Sequence, residues 1–174
     1  MRTTPAGRFA LALLACAGAA SAQELQAFRT RADFGLDVAW VDPTNGNATS
    51  LTGGGIPPAF GYSSGTGAID RRGQRLFTTV QRTGETNWRV YSLSLRDGTV
   101  LSNPSIPGTG TSSFFGVEYD EAEGVLYGMR TPGDGTRRLC KINTSTGALT
   151  DVGTGTPTST SSSGSPSALD ATGN

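Results

Sequence analysis

At 174 residues, with Gly (25) and Pro (9) abundant and only 16% charged residues, the chain can bury one modest core built from short strands and turns. Its 14 basic and 14 acidic residues cancel; beyond the first 22 residues, which hold Arg2, Arg8 and no acid, the net charge is −2, so no clustered positive charge marks a nucleic-acid or acidic-membrane partner. Histidine is absent, which excludes His-dependent triads, His-ligated zinc or haem and imidazole proton transfer.

Residues 1–22 read as an export signal. Arg2 and Arg8 form a basic start, residues 9–20 are rich in Leu and Ala, and Ala20-Ser21-Ala22 supplies the small-x-small cleavage pattern, placing the mature start at Gln23. The apolar run is too short for a permanent membrane helix, which needs about 20 residues. A second reading starts from Leu13-Leu14-Ala15-Cys16, which resembles a bacterial lipobox and would make Cys16 a lipidated N-terminus. Both readings take the protein out of the cytoplasm, to the periplasm or the extracellular side. After cleavage at Gln23 only Cys140 remains, so no intramolecular disulfide can form.

Residues 23–35 have no clean period and read as a lead-in segment. From Leu36 an alternation sets in: Leu36, Val38 and Trp40 against Asp37, Ala39 and Val41 predict a strand. Asp42-Pro43-Thr44-Asn45-Gly46 carries type I turn chemistry, and a return strand through Ala48 to Leu51 makes a hairpin. The hairpin recurs at 88–101, around Arg96-Asp97-Gly98-Thr99, and at 138–149, around Asn143-Thr144-Ser145-Thr146-Gly147. Registering the last residue before each turn aligns Val41, Leu95 and Ile142, which places Cys140 with Leu93 and Ala39 and predicts a core cysteine.

Gly/Pro-rich links at 53–58, 106–110 and 153–157 lead into apolar strands that each close on an aspartate: Ala68-Ile69-Asp70, Val117-Glu118-Tyr119-Asp120 and Ala168-Leu169-Asp170. These aspartates stand 50 residues apart, the signature of a repeat architecture. Residues 153–167 hold only Gly, Thr, Ser and Pro and read as a low-complexity loop.

The expected fold is therefore all-β, with four-stranded blades of about 50 residues of the β-propeller type over 36–174. About three blades are present, short of the ~4–8 of a closed ring. The expected arc is thus incomplete and open, with strand edges available for self-association, and is read as a fragment of a longer chain. The motif apolar-x-Asp-x-x-Gly-x-Leu-Tyr/Phe followed by Leu-x-x-Ile-Asn-x-x-Thr-Gly-x-Leu, present at 117–127 and 139–149, resembles the blades of exported bacterial β-propeller proteins, the broad kelch/quinoprotein-like/YVTN-like group. That resemblance implies a fold and no activity, since the group mixes adhesins, cell-wall proteins and enzymes.

No catalytic, cofactor-binding or metal-binding residue is assigned. Asp70, Asp120 and Asp170 lack the closely spaced oxygen ligands of a calcium loop and are expected to cap the turn that follows each strand. The acidic group Glu118, Asp120, Glu121 and Glu123 reads as a solvated turn, and no Gly-rich stretch has the strand-to-helix setting of a phosphate loop. Trp40, Trp88, Phe114 and Phe115 are expected in blade-to-blade packing. The functional expectation is a non-enzymatic exported binding or scaffold module for a protein or glycan ligand. The alternative is part of a propeller hydrolase or quinoprotein-like oxidoreductase whose active residues lie outside this chain.

Overall fold

A computed structural model describes residues 25–30, 35–51, 54–56, 60–63, 67–110 and 112–157. The export signal, Cys16, Asp170 and most of the 153–167 loop lie outside the described residues. The described part is all-β, and among its residues no helix is long and apolar enough to cross a membrane.

Three antiparallel sheets carry the chain. The first comprises β1 (Leu25–Thr30), β2 (Leu36–Val41) and β3 (Ala48–Ser50), in that order. The middle sheet follows with β4 (Phe60–Ser63), β5 (Ala68–Asp70), β6 (Arg75–Arg82), β7 (Trp88–Ser94), β8 (Val100–Ser102) and β9 (Ser105–Ile106). Here β4 and β5 both pair with β6, and β8 and β9 both pair with β7, so six strands fill four places. The third sheet is a four-stranded meander of β10 (Ser113–Asp120), β11 (Val125–Thr131), β12 (Thr136–Ile142) and β13 (Leu149–Pro157). β-Bulges at Phe114/Gly116 and Arg137/Leu139 let β10 and β13 run unbroken where the middle sheet splits its edge strands.

The middle sheet is buried on both faces. Leu76, Val80, Tyr91, Leu93 and Leu95 pack with Leu36 and Val38 of the first sheet and with Ile56, which is bridged to Leu36. On the opposite face Phe77, Trp88, Val90 and Ile106 pack with Phe114, Val117, Leu126, Cys140 and Ile142 of the third. Two-sided burial also encloses polar side chains of these strands, so Thr78, Thr79 and Ser92 are buried beside the apolar residues of β6 and β7. Each fully buried side chain of this size contributes about 1.5–3 kcal/mol of transfer free energy, so the two seams dominate the stability.

The hairpins fall where the sequence places them, with one register corrected. The three outer turns occupy 42–47, 94–99 and 143–148. Asp42, Ser94 and Asn143 each accept from the N–H of a glycine four residues on, at 2.8, 2.9 and 2.8 Å, and those glycines have φ of +74° (Gly46), +77° (Gly98) and +74° (Gly147). The pairs Val41↔Ala48, Leu93↔Val100 and Ile142↔Leu149 close the strands, so Leu93, not Leu95, is equivalent to Val41 and Ile142. Cys140 accordingly matches Tyr91 and Ala39. The turn expected around Arg96-Asp97-Gly98-Thr99 is a six-residue loop over 94–99 in which Asp97 is the fourth residue, and loop length sets register.

Three further expectations are corrected. The lead-in contains β1, which pairs with β2 from Leu25↔Val41 to Thr30↔Leu36; an edge strand held by backbone bonds needs no alternating pattern. The stretch 153–157 belongs to β13 rather than to an irregular link. In β2 the expected alternation holds only in part: Leu36 and Val38 are buried, but so are Asp37 and Ala39, while Trp40 is exposed. The Asp37 carboxylate accepts from Ser50 Oγ at 2.9 Å on the neighbouring strand, which satisfies the buried charge in part.

Candidate functional site

Of the recurring aspartates, Asp70 and Asp120 are turn caps, and Asp170 lies outside the described residues. Asp70 Oδ1 accepts from the Gly73 N–H at 2.8 Å, and Asp120 Oδ1 from the N–H groups of Ala122 and Glu123 at 2.8 and 3.0 Å. Asp70 also takes a forked pair from Arg75, Nε at 3.0 Å and a terminal nitrogen at 2.6 Å. This pair passes directly over Gly73, where a Cβ would lie 2.2 Å from the Asp70 carboxylate, so the glycine is there for clearance. The left-handed residue of this turn is Gln74 (φ +52°), in the place that Gly124 (φ +69°) takes in the next copy. Burial pushes the Asp70 carboxyl up, but the bonds from Gly73 and Arg75 outweigh it and hold it below the ordinary carboxylate range.

The acidic group is dispersed rather than gathered. Glu121 reaches back one repeat and accepts from the Arg71 N–H at 2.8 Å, tying successive inner turns together. Glu123 accepts from the Tyr127 hydroxyl at 2.9 Å and from Lys141 Nζ at 3.2 Å. Glu118 is half-buried, and burial raises its carboxyl. Among the described residues no group of three or more His, Cys, Asp or Glu is placed to hold a metal ion.

One cluster was not legible in the sequence. Arg130 binds Asp151 bidentately at 2.9 and 2.7 Å and reaches Ser112 Oγ at 3.3 Å, while Arg138 adds a 3.0 Å bond to the same carboxylate and pairs with Asp134. Only strand register assembles it, through Arg130↔Arg138 and Cys140↔Asp151. The Arg130 hydrogen bonds lead, against opposition from burial and with help from Arg138, in holding the Asp151 carboxyl low. A carboxylate so saturated is a strut of the sheet and not a general base.

The cap Asp70 and the strut Asp151 make the same acid prediction. Asp70 and Asp151 titrate lower folded than unfolded, so on acidification the unfolded chain takes up their protons first. The stability they contribute is full above about pH 4 and drains away as the pH falls through their lowered folded values. Urea midpoints should therefore hold down to about pH 4 and fall below it, and D70N and D151N should each flatten that fall.

Cys140 is fully buried, its thiol donates to the Gly128 carbonyl at 3.1 Å, and burial pushes it up to about 12. It is a packing residue, as the hairpin alignment predicts. An Ellman reaction on the folded protein should leave Cys140 unmodified and go to completion in denaturant. On the same alignment, Tyr91 is fully buried with its hydroxyl lacking a hydrogen-bond partner among the described residues. Removing an unsatisfied buried hydroxyl while keeping the ring should help, so Y91F is expected to raise stability by about 1 kcal/mol in urea denaturation.

Of the four aromatics singled out, Trp88 and Phe114 meet across the middle and third sheets with ring centroids 5.2 Å apart. Trp40 and Phe115 do not join them and are 37% and 36% exposed. Phe115 instead lies on the outer face of the third sheet under Arg137, whose guanidinium carbon is 5.3 Å from the ring centroid. Cross-strand rows complete that face: Glu118↔Tyr127↔Lys141, and Met129↔Leu139↔Val152. Lys141 Nζ sits 5.1 Å from the Tyr127 ring centroid, and Val152 is 41% exposed. The face thus has an apolar centre framed by paired charges.

No protein-family model matches the chain, and no curated protein matches it in sequence.

Proposed function

We propose that this chain acts as an exported, β-propeller-type binding or scaffold protein that works outside the cytoplasm on a protein or glycan ligand. The observation that carries the reading is the burial of the middle sheet on both faces by its neighbours in sequence. Successive four-place sheets stacked face to face at a 50-residue spacing are how a blade array buries its core, and such arrays present surfaces rather than one fixed chemistry. The charged groups support the same reading. Asp70, Asp120 and Asp151 are occupied in turns and struts, and the Cys140 thiol is held protonated in the core.

Cell fractionation with mass spectrometry of the N-terminus, combined with turnover assays on the full-length protein, tests the proposal. The expected result is a mature chain beginning at Gln23 (or at a lipidated Cys16) outside the cytoplasm, with no activity that depends on residues 23–174. A cytoplasmic protein that keeps residues 1–22 would overturn the export part. A hydrolase or redox activity abolished by one substitution within 23–174 would overturn the non-enzymatic part.

A further inference from the structure

The outer face of the third sheet has a counterpart that is already covered. By sequence spacing and strand register, Tyr127 stands where Phe77 stands in the middle sheet, Met129 where Thr79 stands, and Leu139 where Val90 stands. Phe77, Thr79 and Val90 are each 0% exposed, because the third sheet lies on them. What lands there first along the chain is β10, which packs on β5 and β6 and sets Tyr119 against Phe77 with ring centroids 5.0 Å apart.

We infer that the outer face of the third sheet is the docking surface for residues 163–170 of this same chain, with Leu169 seated on Tyr127. Three observations select this occupant. Leu169 follows Tyr127 by the same 42 residues that separate Tyr119 from Phe77. Asp120 comes 14 residues after β9 ends at Ile106, and Asp170 comes 13 residues after β13 ends at Pro157, so the tether has the reach the earlier copy uses. The face also has the right chemistry, since Tyr127, Met129, Leu139 and Val152 offer an apolar floor. The middle sheet supplies the contrast. Its Ile69, at the Tyr119 position, is 37% exposed, and the register of β1 puts a polar residue, Gln26, where Phe77 and Tyr127 stand. The clamp that Glu121 makes with Arg71 has no successor, because Ala171 stands at that position, so this docking rests on apolar contact.

The inference rests on the blade-type stacking above and not on export or ligand binding. Its test is disulfide trapping in the full chain carrying C16S, with Y127C and L169C together and an F77C/Y119C pair as the positive control for the same geometry. Cys140 stays silent because it is buried. An intramolecular 127–169 bridge, seen as a cross-linked peptide from monomeric protein, is the expected result. Bridging only between two chains would assign the face to a second copy and overturn the proposal. So would no 127–169 bridge while the 77–119 control forms, and that outcome leaves the stacking of the described sheets untouched. Peroxide footprinting gives an independent reading: L169D should speed oxidation of Met129 several-fold over the unmodified chain, and an unchanged rate counts against the docking.

Discussion

Replacing Trp88 with alanine is expected to cost about 3–5 kcal/mol, a large share of the stability of a domain this size. Trp88 is 3% exposed at the seam between the middle and third sheets, where its ring meets Phe114. Its indole N–H donates to the Ser112 carbonyl at 2.8 Å, and its backbone N–H donates to Thr109 Oγ1 at 2.9 Å. Thr109 in turn donates to the Ile106 carbonyl at 2.6 Å, so one residue, through its ring and its backbone, organises both the core and the link that leads into β10. Truncation removes the ring contacts, leaves a cavity and strands the Ser112 carbonyl. W88F separates these contributions: it keeps an aromatic ring against Phe114 and loses chiefly the indole hydrogen bond, for an expected cost of about 1–2 kcal/mol. Urea denaturation followed by circular dichroism measures both. Hydrogen exchange should locate the damage, with protection in β10–β13 falling further than in β6 and β7 if the seam has opened. A W88A cost below about 1 kcal/mol would mean that the two sheets do not share a core at this point.

What the sequence made legible was local. The three outer hairpins, the capping roles of Asp70 and Asp120 and the burial of Cys140 all follow from turn chemistry and alternation within some ten residues of each other. What it hid depends on partners far along the chain. β1 and β9 are held by backbone pairing to β2 and β7, and no side-chain pattern announces them. The Arg130–Asp151–Arg138 network needs the register of three strands before its members become neighbours. The slip in the second hairpin is instructive in another way. Asp97-Gly98 is a strong tight-turn signal in isolation, and only comparison with Asn45-Gly46 and Thr146-Gly147 shows that the glycine closes a longer loop. Among the aromatics, Trp88 and Trp40 looked alike, and burial separates them because Trp88 faces a neighbouring sheet while Trp40 is exposed.

Comparison of those same turns yields the other large effect. Gly46 and Gly147 hold equivalent places with the same φ of +74°, so alanine at either should incur the same left-handed backbone cost, about 1–2 kcal/mol. Their surroundings differ. A Cβ on Gly46 would meet nothing within 4 Å, whereas on Gly147 it would lie 2.0 Å from the Ser105 carbonyl oxygen and 2.8 Å from its carbon. Those are backbone atoms of β9, pinned by the Arg89↔Ser105 and Trp88↔Ile106 pairs, and cannot rotate away as a side chain could. G147A must therefore push the tip of the β12–β13 hairpin off the middle sheet, adding a packing cost of about 1–3 kcal/mol. The expected totals are about 1–2 kcal/mol for G46A and about 2–5 kcal/mol for G147A, read as the difference between two urea midpoints. Subtracting one from the other cancels the backbone contribution and leaves the contact between hairpin tip and β9. Equal costs would show that the tip does not rest on β9. Unequal costs would show that this turn carries contact between sheets as well as chain reversal, which is the reason a repeat needs glycine here beyond the needs of the turn itself.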